Sequence, residues 1–266
     1  SDGSFAVAQS IADPRLELCR NEQNLGRVRN YRKALYELAR GEWVVNLDGD
    51  DYYDDPNFIA DAIARVRSDP EIVMYAAGAK TLHEDSGEMV CDPVAVPAEG
   101  QVISGVDYVL SYPRLGVTQH FAVLYNRARA LETGFYLLDS LGTDTDSLCR
   151  LALQGKVYVH GKHVGVWTHH QANASYSLTE ETVGKELDML AHIADALAGH
   201  VPKEVAEGWL HRRLREKRRL VENLTLTRLP LREACRYWYR HKRLEIFYLK
   251  EAVKLALRGL GLRRTG

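Results

Sequence analysis

The chain has 266 residues, 45% of them hydrophobic and 27% charged, with 35 Lys and Arg against 36 Asp and Glu. That composition excludes a disordered or fibrous chain and allows one large domain with an appendage. No apolar run reaches membrane-spanning length, no signal peptide is visible, and Cys19, Cys91, Cys149 and Cys235 lack metal-ligand spacing or a disulfide framework, as expected in a reducing cytoplasm.

The near-neutral total hides an asymmetry. From Lys203 to Gly266 there are eighteen Lys and Arg against seven Glu, a net of +11, and the preceding residues carry −12. An acidic body and a basic tail suggest two units with different partners.

In chain order, Ser1-Asp2-Gly3-Ser4 reads as a loop that follows a strand, and residues 15–19 (RLELC) read as a short strand. Val28, Tyr31, Leu35 and Leu38 keep helical spacing up to Gly41, a natural stop. Residues 43–47 (WVVNL) suit a buried strand that runs straight into Asp48, Gly49, Asp50 and Asp51. Carboxylates this close repel one another, so the cluster calls for a cation with hard oxygen ligands, Mn²⁺ or Mg²⁺ together with a phosphate. As an isolated string, Asp-Gly-Asp-Asp is also a common strand-ending turn. Asp55-Pro56 starts a helix whose apolar face is Ile59, Ile63 and Val66, and residues 72–76 (IVMYA) form the next strand. This alternation predicts an α/β fold with a largely parallel sheet.

Residues 79–103 carry Gly87, Pro93, Pro97 and Gly100 and read as an irregular surface excursion. A strand at 121–125 (FAVLY), a helix over 145–154 and the run KVYVHGKHVGVWTHH follow. His160 and His163 alternate with apolar residues there and read as ordinary strand positions. From Glu180 the pattern is helical, broken at Pro202 and Pro230. Within 242–258, Ile246, Leu249, Val253 and Leu257 share a helical face, with Lys250, Lys254 and Arg258 on others. Such a basic amphipathic helix suits an anionic membrane surface, or packing on the body or on a partner subunit; no nucleic-acid motif accompanies it.

Four segments, read together, resemble family 2 glycosyltransferases of the GT-A fold: S-D-G-S (1–4), N-L-G-R-V-R-N (24–30), L-D-G-D-D-Y-Y (47–53), and the pair T-D-T-D (143–146) with W-T-H-H-Q-A-N-A-S (167–175). The resemblance covers about residues 1–175. It implies a mixed, mostly parallel sheet flanked by helices, with a catalytic region over 1–178 and a basic helical extension over 179–266. It also implies a strand-helix-strand segment before Ser1, so that the native protein would begin earlier.

The resemblance further implies a nucleotide-diphosphate sugar donor, a UDP-sugar by expectation, and a glycan or lipid-linked acceptor. The setting would be bacterial polysaccharide assembly at the inner face of the membrane. Asp50 becomes the first metal ligand, with Asp48 and His170 beside it and His169 as the neighbouring alternative. Asp48 or Asp51 could instead hold the ribose or orient the sugar. Asp2, Asn24, Gly26, Arg29 and Asn30 fall on the nucleotide side, with Ser1 where the family often has Asp. Asp144 takes the place of the catalytic base in an inverting reaction, with Asp146 as the alternative and Thr143 where the family has Glu. Structurally, Thr143 and Asp144 could also be no more than a helix cap. Thr168 stands at a usual Arg position. Two other classes remain: a non-catalytic sugar-nucleotide or glycan-binding module, and a phosphohydrolase with an aspartate nucleophile, whose strand also ends in D-x-D.

Overall fold

The computed structural model describes residues 3–170, 173 and 180–228, with the backbone alone at 180, 183 and 218–228. Asp2, Pro230, Cys235 and the amphipathic stretch 242–258 lie outside the described residues.

Two long strands, β3 (Ile72–His83) and β7 (Lys156–His169), run parallel through the centre of the sheet. Each is long enough to take two partners along its outer edge. β6 (Val123–Asn126) pairs antiparallel with the first part of β3 and carries β1 (Trp43–Val44) beyond it, while β4 (Glu88–Cys91) pairs with the last part of β3. On the other side β5 (Gln101–Ser104) lies along the start of β7, and β2 (Tyr52–Tyr53) along its end. The main order is β1-β6-β3-β7-β2. The sheet is mixed, and its parallel character resides in the β3–β7 ladder.

The run IVMYAAGA in β3 is buried on both faces, as continuous apolar strands are. Met74 and Ala76 enter one core cluster, and Tyr75, Ala77 and Ala79 the other. The second cluster closes under α3 (Phe58–Val66) through Phe58, Ala62 and Val66. The first is larger. It takes Tyr31 from α2 (Arg27–Lys33), Tyr108 from α4 (Gly105–Ser111), Ala130 from α5 (Arg127–Glu132), and Leu148 and Leu151 from α6 (Thr143–Ala152). Ile193 and Leu197 of α7 (Glu180–Ala198) and Trp209 of α8 (Lys203–Arg228) complete it. Trp209 is fully buried, and its indole N–H donates to the Val109 carbonyl at 2.9 Å.

Several local expectations are corrected. Residues 15–19 form no strand, although they are flanked by α1 (Ser4–Gln9) and α2. Alternation over five residues is too short to fix a strand without a partner. The helix after Gly26 ends as a π-turn, Ala34–Leu38, closed by Ala39 N–H to the Ala34 carbonyl at 2.7 Å. The expected excursion 79–103 contains the end of β3 together with β4 and β5. Its Gly and Pro residues punctuate these short strands. The strand into the acidic cluster is only Trp43–Val44, because β6 offers two register partners there.

Candidate functional site

Beyond β1 the chain passes Asn46 and then closes a turn in which the Asp51 N–H donates to the Asp48 carbonyl at 3.2 Å. The turn fans its three carboxylates toward three different partners. Asp48 accepts from the Tyr31 hydroxyl, at 2.6 Å for Oδ2. Asp50 Oδ2 lies 3.0 Å from His170 Nε2, just past the end of β7. Asp51 Oδ1 accepts the Thr168 N–H at 3.0 Å. Burial pushes the Asp51 carboxyl up to about 6, with the Asp50 and Asp48 charges adding and the Thr168 N–H opposing. Burial and the Asp48 bond likewise drive the Tyr31 phenol far above its ordinary value, so it stays protonated.

Asp48, Asp50, Asp51 and Tyr31 line a cavity of about 470 Å³ that Asp144, in the first turn of α6, lines as well. Arg27, Asn46, His120, Trp167 and Asn173 complete much of the lining. The two acids of the T-D-T-D repeat part company here. Two residues apart on a helix they point to nearly opposite sides. Asp144 reaches the cavity. Asp146 is fully buried elsewhere, bonded to Arg150 at 2.9 Å and to His192 Nδ1 at 2.8 Å. The N-cap of α6 is Gly142, and no side chain of its own segment caps it. Asp144 is therefore not held as a helix cap.

The second nucleotide-side segment divides as well. Asn24, Gly26 and Asn30 line an adjoining hollow, and Gly26 also lines a third hollow together with Arg29. Arg27, which borders all three hollows, is the residue that sequence reasoning passed over. Its guanidinium lies over the Tyr31 ring, 5.7 Å from the centroid, and donates to the Ser140 and Leu141 carbonyls just ahead of α6. Helical spacing held the signal: Arg27 is four residues from Tyr31 and shares its face, whereas Arg29 is two away and turns outward. Asn46 was likewise missed; its Oδ1 accepts from the Tyr125 and Tyr136 hydroxyls at 2.7 and 3.0 Å. His169 turns from the cavity toward His83, the two Nδ1 atoms 3.2 Å apart. His160 meets the Tyr75 hydroxyl and His163 the Asp92 carbonyl, both within the fold.

Among the described residues, no three His, Cys, Asp or Glu side chains converge as a complete metal set. The Asp50–His170 pair, with Asp48 nearby, offers hard oxygen and imidazole nitrogen donors. That donor set fits Mn²⁺ or Mg²⁺ when the remaining positions are filled by a diphosphate and water.

The family model described as "Glycosyl transferase family 2" matches residues 1–90, the stretch from Ser1 through the Asp48–Asp51 turn and β3 into β4. Among solved structures, the chain resembles the crystal structure of S. aureus TarS 1-349 in complex with UDP-GlcNAc, with a TM-score of 0.55 and 17% identity. The match covers 75% of this chain and 55% of that one, so the chain spans just over half the length of that relative. The likeness shows the fold, a GT-A arrangement in which the segment matched by the family model holds β1, the acidic turn and α3. No curated protein sequence matches the chain.

Proposed function

We propose that the chain transfers a sugar from a nucleotide-diphosphate donor to an acceptor hydroxyl with inversion. The observation that carries this reading is that Asp48, Asp50, Asp51 and Asp144, from remote segments, line one cavity. Single displacement needs a proton acceptor on the side of the sugar opposite to the departing diphosphate. Asp144 accepts the proton of the attacking hydroxyl at its carboxylate. Asp50, His170 and Asp48 would hold a divalent cation, which as a Lewis acid would offset the charge of the departing diphosphate. Arg27 adds a fixed positive charge to the same cavity, and Tyr31, kept protonated, fixes the direction of Asp48. Asp51, Asn24, Gly26, Arg29 and Asn30 extend the donor surface away from the reacting centre. The TarS relative was solved with UDP-GlcNAc, so a UDP-sugar is the first donor to test. A glycan or lipid-linked acceptor, with the basic C-terminal residues drawing the protein to an anionic membrane face, completes the reading.

The test is a screen of nucleotide sugars with and without Mn²⁺ or Mg²⁺, on wild type, Asp50→Ala and Asp144→Asn. Asp144→Asn should bind UDP normally and lose about 10²–10⁴-fold in kcat, the usual contribution of a general base. Asp50→Ala should lose the stimulation by metal. Undiminished transfer by Asp144→Asn would remove it as the base. Phosphate release without sugar transfer would point instead to the hydrolase class.

A further inference from the structure

The first turn of α6, which carries Asp144, is anchored from outside its own helix. The Gly142 N–H donates across the fold to Glu186 Oε1 of α7 at 2.6 Å. Glu186 is 2% exposed, and its other carboxylate oxygen lies 2.8 Å from Lys217 Nζ of α8. A carboxylate at a helix N-terminus is favoured by the exposed N–H groups there, and a buried one persists only when it is paired. Here both conditions hold in a single side chain.

Gly142 leaves room for this approach. A Cβ at that position would lie 2.6 Å from Met189 Sδ of the same helix α7, so a larger residue would require the Met189 side chain to shift. The Thr143 hydroxyl is buried and bonds to nothing among the described residues, so the local sequence supplies no substitute. A second bond between the same helices, His192 to fully buried Asp146, lies on the side of α6 that faces away from the cavity. The two bonds hold α6 at its end and at its back. Rotation or withdrawal of α6, either of which would carry Asp144 from the cavity wall, breaks at least one of them. Glu186 itself does not line the cavity.

We propose that Glu186 is a positioning residue: α7, braced by Lys217, fixes the N-terminus of α6 and thereby the direction of Asp144. The inference rests on the reading of Asp144 as the base. It assigns the helical C-terminal part of the chain a role in the reaction as well as in the core.

The test uses the full chain as wild type, Glu186→Ala and Glu186→Gln. UDP binding is measured by calorimetry with Mn²⁺, UDP release from UDP-GlcNAc with water or an added sugar as acceptor, and amide hydrogen exchange along α6. Glu186→Ala should bind UDP within about twofold of wild type and lose about 10–100-fold in kcat, the scale on which a misplacement of about 1 Å acts. Exchange at residues 142–146 should quicken by about tenfold while β3 and β7 stay protected. Glu186→Gln keeps an oxygen for the Gly142 N–H and should recover most of both losses. Wild-type exchange at 142–146 in Glu186→Ala would overturn the inference. So would a general loss of protection across the fold in Glu186→Ala with no recovery in Glu186→Gln. Absence of sugar transfer in the wild type counts against the glycosyl-transfer reading alone, because the exchange pattern still decides whether Glu186 anchors α6.

Discussion

Burial fixes the protonation of Tyr31 and His120 on the cavity wall. The two rings meet edge-on with centroids 5.3 Å apart, and His120 Nε2 lies 2.8 Å from the Tyr136 hydroxyl. Burial holds the His120 imidazole below its ordinary 6.5, the nearby Asp144 and Asp48 charges raise it, and Arg27 opposes them. The net shift is downward, so His120 stays neutral where an unfolded imidazole would already be charged. The sign follows by linkage: below about pH 6.5 the unfolded chain binds a proton that the folded chain refuses, so stability drops as the pH is lowered. His120→Gln should flatten that decline, which denaturant titrations at pH 5 to 8 would measure; an unchanged slope would contradict it. Sequence alone could not single out His120, because its neighbours Tyr31 and Tyr136 come from remote segments. Arg27 was within reach, since its spacing from Tyr31 is visible in the chain. The division of duties between Asp144 and Asp146 was half legible: helical spacing separates them, but only the positions of Arg150 and His192 say which one faces inward.

Among elements, the long central strands were easiest to anticipate, because IVMYA and KVYVHGKHVGVW are continuous apolar or alternating runs of high strand preference. What sequence could not give is which edge partner each half would take. β4 and β5 were hidden in a stretch rich in Gly and Pro, and β2 is a two-residue strand defined by its pairing with β7. That last pairing depends on Gly165. A Cβ there would lie 2.6 Å from the Tyr52 carbonyl oxygen and 2.8 Å from the Phe121 ring. Gly165→Ala should therefore cost about 1–3 kcal/mol as overpacking. It should also displace β2 and, with it, the acidic turn that immediately precedes it. Chemical denaturation reads the first effect and UDP affinity the second. A variant as stable as wild type would show that the strands slide apart without cost.

For the molecule as a whole, the acidic body and basic tail seen in the sequence do not coincide with the limits of packing. α7 and the first turns of α8 share one core with the sheet, through Leu190, Ile193, Leu197 and Trp209. Trp209→Ala removes the largest of these side chains and its bond to Val109, and should destabilise the whole protein by about 3–5 kcal/mol. Unfolding should remain a single transition; an early separate transition of the helices would show that they form an independent unit. Among the described residues no helix is long and apolar enough to cross a membrane.

The burial of Asp146 has a further consequence. T-D-T-D looks like duplication, as if one acid could stand in for the other. With one carboxylate at the cavity and the other locked between Arg150 and His192, the repeat carries no redundancy. Neither side chain can cover for the loss of its twin, and a double variant should show two separable defects, one in turnover and one in folding, rather than a single deeper one.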